Sequence, residues 1–236
     1  MTDNSAKGYT EEKKQVLFLH GYLASGRTFA FQRKFFDRYF ETFAPDLKGF
    51  GTNAGMSYPY SLSDYVDEVR EYIDKNRIKS PHVVAHSFGA RIAVKAAAND
   101  PLLFDKLVLT GAAGLKPRKS LYKRIKSAEF SILKRFVGKE KLQRFYSADY
   151  LALDDVMRAS FVKIVGETLD GVLPRVKNRT LIVFGDKDRE TPLYMAKRYK
   201  RGIENSRLVV IRDAGHFAFI DKPYAFNMEV REFLLE

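Results

Sequence analysis

The stretch Val83-Val84-Ala85-His86-Ser87-Phe88-Gly89-Ala90 decides how this chain is interpreted. An apolar run stops at a serine, and a segment rich in helix-forming residues begins immediately after it. A sharp turn from a strand into a helix holds the intervening side chain out from the backbone. Ser87 is therefore a candidate nucleophile, although a serine in this position can also serve simply as a helix cap.

Further apolar runs and helical patterns alternate along the chain. Besides the strand at 82–86, strands are predicted at 16–19, 107–109, 180–184 and 208–211, with a short strand ending at 43–46. Helices are predicted at 25–40, 61–76, 88–99 and 193–200, and from Pro223 onward. This alternation predicts an α/β fold, with a mostly parallel central sheet and helices on both faces.

One segment, residues 115–173, interrupts the alternation because it contains no strand-like apolar run. It carries helical patterns at 127–136 and 154–165. We therefore predict a helical cap (lid) inserted over the carboxyl edge of the sheet. The core is then formed by residues 1–114 and 174–236.

Composition limits the classes of protein and of site. The chain has 236 residues, a net charge of +12 and no cysteine. The missing cysteines exclude disulfides, thiolate metal sites and a cysteine nucleophile. Residues 1–15 lack the apolar region of a secretory signal, and no apolar run approaches the ~18 residues of a membrane span. We expect a cytoplasmic protein without a transmembrane segment.

Serine, histidine and aspartate each follow a different predicted strand, and ligands of open parallel sheets bind at that edge. His216 is the one histidine of four that is not already tied to another motif, which makes it the candidate general base. The acid that orients it is expected from the turn after strand 180–184. Asp188 is preferred there, because Asp186 is so close to the strand that it is expected to brace the loop. Asp213, three residues before His216, is the remaining rival.

An oxyanion hole requires two backbone donors near the nucleophile. The N–H of Phe88 follows Ser87 directly, and the N–H of Tyr22 follows the first strand. Gly21 is expected to let that first turn close tightly.

Taken together, these motifs resemble the α/β-hydrolase fold superfamily, in its capped, single-domain form. The resemblance rests on motifs in the family's order over nearly the whole chain: His20-Gly21, Asp46-Leu47-Lys48-Gly49-Phe50-Gly51, Ala85-His86-Ser87-Phe88-Gly89, Gly185-Asp186-Lys187-Asp188 with Pro192, and Gly215-His216. It implies that Ser87 is the nucleophile, Asp188 the acid and His216 the base. It also implies that Asp46, Gly49 and Gly51 shape a structural loop.

Two features depart from the family pattern, and the identity of the nucleophile limits the type of reaction. Ala85 stands where glycine usually begins the nucleophile elbow, which is the strand–turn–helix around Ser87. The short N-terminus predicts a shortened or missing first hairpin. Relatives that cleave haloalkanes or epoxides carry aspartate as the nucleophile. Serine in that position therefore implies acyl chemistry.

Positive charge is concentrated in the predicted cap. Between residues 116 and 144, only Glu129 and Glu140 oppose the basic residues, which are Lys116, Arg118, Lys119, Lys123, Arg124, Lys126, Lys134, Arg135, Lys139, Lys141 and Arg144. This cluster is interpreted first as a solvated helix surface, and second as a contact for an anionic substrate or surface.

No nucleic-acid motif, metal-ligand spacing or dinucleotide fingerprint appears in the sequence. We therefore expect no nucleic-acid partner, no metal and no cofactor.

The leading expectation is a carboxylesterase-like serine hydrolase that cleaves a small carboxylic ester or related acyl compound through an acyl-enzyme. A first alternative is a carbon–carbon bond hydrolase that uses the same triad. A second is a non-catalytic binding module whose basic cap recognises an anionic partner. The sequence does not determine the substrate or the oligomeric state.

Overall fold

The computed structural model of the chain describes residues 13–118 and 153–236. Six strands form one sheet in the order β2-β1-β3-β4-β5-β6, and every neighbouring pair is parallel. The strands are β1 Gln15–Leu19, β2 Glu41–Phe43, β3 His82–His86, β4 Leu107–Thr110, β5 Thr180–Gly185 and β6 Ser206–Ile211.

Seven described α-helices accompany the sheet. They are α1 Ala30–Phe36, α2 Leu62–Lys75, α3 Phe88–Asn99, α4 Asp155–Gly166, α5 Leu193–Gly202, α6 Ala218–Asp221 and α7 Pro223–Leu235. The sequence dictates the start of α2 especially clearly. The Ser61 hydroxyl accepts from the Asp64 N–H, and the Asp64 carboxylate accepts from the Ser61 N–H at 2.6 Å. This reciprocal capping satisfies two N–H groups at the helix start.

The sheet is buried on both faces, as the continuous apolar runs predict. Successive residues of one strand point to opposite faces. Leu17 and Leu19 join the core beneath α2, α3 and α5, whereas Val16 and Phe18 join the core beneath α1 and α7. The predicted α/β class, with helices on both faces of the sheet, is confirmed.

The predicted element limits are accurate around Ser87 and less accurate near the N-terminus. Strand β3 and helix α3 match the predicted limits. A single helix over residues 25–40 is wrong. A 3-10 turn at Gly26–Phe29 precedes α1, which ends at Phe36. Phe40 lies beyond the end of α1 and packs against the ring of His82, with 5.9 Å between centroids, as well as against the ring of Phe36.

The strand order places a topological switch point between β1 and β3. From β1 the chain runs to β2 on one side, and then crosses back to β3 on the other. Ligand sites of open α/β sheets lie beyond the carboxyl ends of the strands at such a point. Here those ends are followed by Gly21-Tyr22 and by Ser87.

The predicted insertion, residues 115–173, is described only at 115–118 and 153–173. Helix α4 matches the pattern predicted at 154–165, and Asp154 caps it by accepting from the Met157 N–H at 2.7 Å. Arg91 of α3 donates to the carbonyls of Ile164 and Glu167, which ties the end of α4 to the core. The helix predicted at 127–136 lies outside the described residues, and the cap as a unit stays a prediction. Within the described part of the chain, no helix has the length and apolar character of a membrane span.

Candidate active site

Ser87 stands at a strained turn between β3 and α3. Its φ of 48° and ψ of −103° lie in a region that residues with a side chain rarely adopt. Such strain costs on the order of 1–3 kcal/mol and is concentrated at functional sites. The Ser87 N–H donates to the carbonyl of Thr110 on β4 at 3.0 Å, and the Ser87 carbonyl accepts from the Ala113 N–H at 3.3 Å. The neighbouring strand end therefore holds the turn, and the Ser87 side chain is partly exposed.

The turn depends on a glycine two residues after the serine. A β-carbon on Gly89 would overlap the carbonyl oxygen of Leu19 and would lie 2.8 Å from that of His20. Helix α3 thus begins directly against the end of β1, as expected for small residues around the elbow. Phe88 is the first residue of α3, and the first N–H groups of a helix have no partner within it.

Asp188 and His216 form a buried hydrogen-bonded pair. Nδ1 of His216 donates to Oδ2 of Asp188 at 2.9 Å. The Asp188 side chain is fully buried, and that of His216 is 7% exposed. The two residues follow the neighbouring strands β5 and β6, so the sheet brings them together across 28 residues of sequence.

The turn that follows Asp188 holds its carboxylate in place. Oδ1 accepts from the N–H groups of Glu190 and Thr191, both at 2.9 Å, and Oδ2 accepts from the Thr191 hydroxyl at 2.7 Å. Burial alone would raise the pKa of Asp188, but the hydrogen bonds from His216 and Thr191 outweigh burial and lower it. Asp188 is therefore ionised and oriented toward the imidazole.

The ring of His216 lies against the end of β4 and the elbow strand. A β-carbon on Gly111 would lie 3.0 Å from Nδ1 of His216, and Gly111 adopts φ +51°. Nε2 of His86, the residue before Ser87, lies 3.2 Å from the His216 carbonyl, and the two rings are 4.7 Å apart. Ser87 and His216 thus both lie next to the ends of β3 and β4.

His86 supports the site as a neutral side chain. Burial, followed by the charge of His216, lowers the pKa of His86 to about 3. A neutral His86 can donate from Nε2 to the His216 carbonyl. Its Nδ1 faces Gly21, where a β-carbon would lie only 2.7 Å away.

His20 fixes the turn after β1. Its Nε2 accepts from the Leu47 N–H at 3.0 Å, so Nδ1 carries the proton and donates to the Gly21 carbonyl at 2.8 Å. Burial lowers the pKa of His20, which keeps the ring neutral. The C=O and N–H of a trans peptide point in opposite directions, so this bond also sets the direction of the Tyr22 N–H. The backbone of Gly21 is not left-handed, so the tight turn expected from the sequence does not require a glycine there. Glycine is required instead because a side chain at this position would collide with His86.

An aromatic cluster covers the two predicted oxyanion residues. The Tyr22 ring contacts the rings of Phe50, Phe88 and Phe161 at centroid distances of 4.9, 5.5 and 5.1 Å. The Tyr22 hydroxyl donates to the carbonyl of Met157 in α4 at 3.2 Å. Part of the predicted cap therefore packs directly on the first turn of the site, and it offers an apolar wall.

Ser87 is the one predicted triad member without a direct bond to the others. Among the described residues, no hydrogen bond joins its hydroxyl to His216. Nε2 of His216 instead lies 3.4 Å from Oε2 of Glu190, whose side chain is 68% exposed. The structure thus brings Asp188 and His216 together, and Ser87 follows β3 at the same edge of the sheet.

The rival carboxylates have other partners. Asp186 accepts from the Ala214 N–H at 3.4 Å and so braces the loop before His216. Asp213 is exposed and forms an ion pair with Lys187 at 2.6 Å.

Across residues 13–118 and 153–236, no group of three or more His, Asp or Glu side chains is arranged to hold a metal.

A family model for the alpha/beta hydrolase family matches residues 16–229. This chain belongs to that family. The match runs from the second residue of β1 through β6 and includes the turns that carry Ser87, Asp188 and His216.

Similar proteins and structures agree with this assignment. The chain is 27% identical to the AB hydrolase superfamily protein YisY of Bacillus subtilis, over 93% of this chain and 91% of that protein. It is 26% identical to a pimeloyl-[acyl-carrier protein] methyl ester esterase of Neisseria meningitidis, over 97% and 96%.

Two solved structures share the fold. An esterase from Exiguobacterium antarcticum has a TM-score of 0.76 and 23% identity, over 95% of this chain and 93% of that one. The meta-cleavage product hydrolase CumD from Pseudomonas fluorescens has a TM-score of 0.72 and 22% identity, over 94% and 91%.

Sequence reasoning missed three side chains that shape the site: Thr191, Glu190 and His86. Thr191 carries a partial signal, because an aspartate side chain often accepts from backbone N–H groups that follow it in a turn. The place of Glu190 depends on the path of an exposed loop, which local sequence does not determine. His86 was visible in the motif, but its contact with the last loop requires the sheet order.

Proposed function

We propose that this protein is a serine hydrolase that cleaves carboxylic esters through an acyl-enzyme. Ser87 is the nucleophile, His216 the general base and Asp188 the residue that orients it. The observation that carries the proposal is the strained Ser87 turn beside the buried Asp188–His216 pair. A serine that only capped a helix would require neither the strain nor a neighbouring acid–base pair.

The mechanism follows from the roles of these groups. Oγ of Ser87 attacks the ester carbonyl while Nε2 of His216 takes its proton. The N–H groups of Tyr22 and Phe88 stabilise the negative charge on the carbonyl oxygen. His216 then gives the proton to the departing alcohol, and the acyl group stays on Ser87. Water, deprotonated by His216, attacks the acyl-enzyme and releases the acid.

Asp188 acts on the imidazole and not on the substrate. Its bond to Nδ1 holds the tautomer in which Nε2 is free to accept a proton, and its charge stabilises the imidazolium that forms. The carboxylate needs no proton at any step.

Ester cleavage is favoured over carbon–carbon cleavage by the relatives. One relative at 26% identity is named for a methyl ester esterase activity, and it aligns over nearly the whole of both chains. The meta-cleavage hydrolase CumD supports the alternative only through its shared fold. The aromatic wall beside Tyr22 suits an apolar acyl group.

The role of the basic residues stays a prediction. The cluster in the cap was interpreted first as a solvated helix surface and second as a contact for an anionic substrate or surface, and most of its members lie outside the described residues. Cytoplasmic location is likewise a prediction.

A substrate panel tests the proposal. Purified protein is assayed with p-nitrophenyl esters of increasing chain length and with a vinylogous diketone, in wild type, Ser87→Ala and Ser63→Ala. Ser63 lies exposed on α2 and is a matched control. We expect ester turnover that is lost only in Ser87→Ala. Turnover of the diketone alone would favour the carbon–carbon hydrolase, and turnover of neither would favour the binding module.

A further inference from the structure

One short turn presents two carboxylates to the two nitrogens of His216. Asp188 accepts from Nδ1 at 2.9 Å, and Oε2 of Glu190 lies 3.4 Å from Nε2. The backbone of the turn couples them, because the Glu190 N–H itself donates to Asp188. Glu190 makes no other ion pair with the described part of the chain.

Nε2 is the nitrogen that must accept the serine proton under the proposed function. A carboxylate 3.4 Å from Nε2 takes up space next to that nitrogen, where the Ser87 hydroxyl or a leaving group would have to approach under the proposed function. Asp188 is fully buried, but the Glu190 side chain is 68% exposed and can leave without breaking a buried contact.

We infer that Glu190 is a displaceable carboxylate that competes with Ser87 for Nε2 of His216 and holds the unliganded site in a resting state. The inference rests on the proposed function. The charged or titratable groups that face His216 within the described residues are Asp188 and Glu190 from the turn after β5, and His86 from β3. His86 is neutral, so Glu190 is the one group whose removal changes the charge at Nε2 without disturbing the buried pair.

Two measurements test the inference with Glu190→Gln. The control is Glu204→Gln, at an exposed carboxylate whose partner is Lys177. The first is the rate at which a fluorophosphonate labels Ser87. An exposed ion pair is worth ~0.2–1 kcal/mol, so Glu190→Gln is expected to label about 1.4- to fivefold faster at pH 7. Slower labelling would overturn the inference, because Glu190 would then assist His216.

The second measurement does not depend on Ser87. Diethyl pyrocarbonate acylates an unprotonated imidazole nitrogen, and peptide mass spectrometry reports the modification of His216 in a Ser87→Ala background. Faster modification in Glu190→Gln than in Glu204→Gln is expected, and equal rates would overturn the inference. If modification is faster but the wild type never labels at Ser87, Glu190 does cover Nε2 and the proposed function fails instead.

Discussion

Oδ2 of Asp188 and Nδ1 of His216 lie 2.9 Å apart in a pair that is almost entirely removed from water. The carboxylate is held on its other side by the turn that ends at Thr191. A buried, ionised aspartate bonded to a histidine stabilises one tautomer and the positive charge of the ring. This arrangement is what a serine nucleophile requires of its base.

Removal of the Asp188 charge is expected to abolish most activity. In Asp188→Asn the side-chain amide can donate to Nδ1, which selects the wrong tautomer, and kcat for esters should fall by ~10⁴. Asp213→Asn is the matched control. Asp213 has φ 55°, which asparagine tolerates well, and it belongs only to a surface ion pair. Steady-state kinetics should show Asp213→Asn within about twofold of wild type; an equal loss in both variants would contradict the assignment of Asp188.

The Thr191 hydroxyl is predicted to position Asp188. Thr191→Val keeps the shape but removes a hydrogen bond to a charged group, and such bonds contribute ~1.5–3 kcal/mol. We expect kcat/KM to fall by about tenfold or more with KM little changed, since the group acts on the base and not on substrate. Thr191→Ser should restore most of the activity, and failure of this rescue would show that packing, and not the hydroxyl, matters.

Buried neutral histidines should make the fold sensitive to acid. Burial lowers the pKa of His82 to about 4, although Asp105 at 3.5 Å acts in the opposite direction. The unfolded chain, with an ordinary histidine pKa of ~6.5, binds the proton first. The contribution of His82 to the free energy of unfolding is therefore complete above pH ~6.5. It is lost as the pH drops toward 4, which costs on the order of 3 kcal/mol.

Urea unfolding between pH 8 and pH 4 measures this effect. His82→Gln should unfold with a weaker dependence on pH across the same window, whatever its stability at pH 8. A parallel dependence in variant and wild type would assign the acid sensitivity to other groups, of which His86 and His20 are the first candidates because burial lowers the pKa of each.

Two glycine substitutions separate the tight contact at the elbow from general helix effects. In Gly89→Ala the new methyl group meets the Leu19 carbonyl, and overpacking of this kind typically costs ~1–3 kcal/mol. Gly166→Ala at the end of α4 meets nothing within 4 Å and should stabilise the fold by ~0.4–1 kcal/mol. Thermal unfolding of the two variants should therefore shift in opposite directions, and a neutral Gly89→Ala would show that α3 does not abut β1 so closely.

The elements that sequence reasoning predicted best are those with a strong local signal. Strand β3, Ser87 and helix α3 were predicted to the residue because an apolar run, a serine and an alanine-rich segment succeed one another without a loop. Helix α2 was predicted to within one residue at each end, since its apolar residues recur at helical spacing behind a serine near its start.

The errors arose where burial has a non-local cause. Phe40 appeared to extend a helix but is buried against His82, which is 42 positions away in the sequence. The short helix α6 was not predicted, because four residues are too few to show periodicity. In the site, strand ends indicated where Asp188 and His216 would meet, but the exposed loop that carries Glu190 to Nε2 has no signature in composition or spacing.

The most direct test of the central claim is the site of covalent modification by a fluorophosphonate. Intact protein is labelled at pH 7.5, digested and mapped by mass spectrometry, with Ser87→Ala and His216→Ala as controls. We predict a single adduct on Ser87 that is absent in Ser87→Ala and at least ~10³-fold slower in His216→Ala. A folded wild-type protein that gains no adduct at Ser87, or that labels at the same rate without His216, would contradict the account.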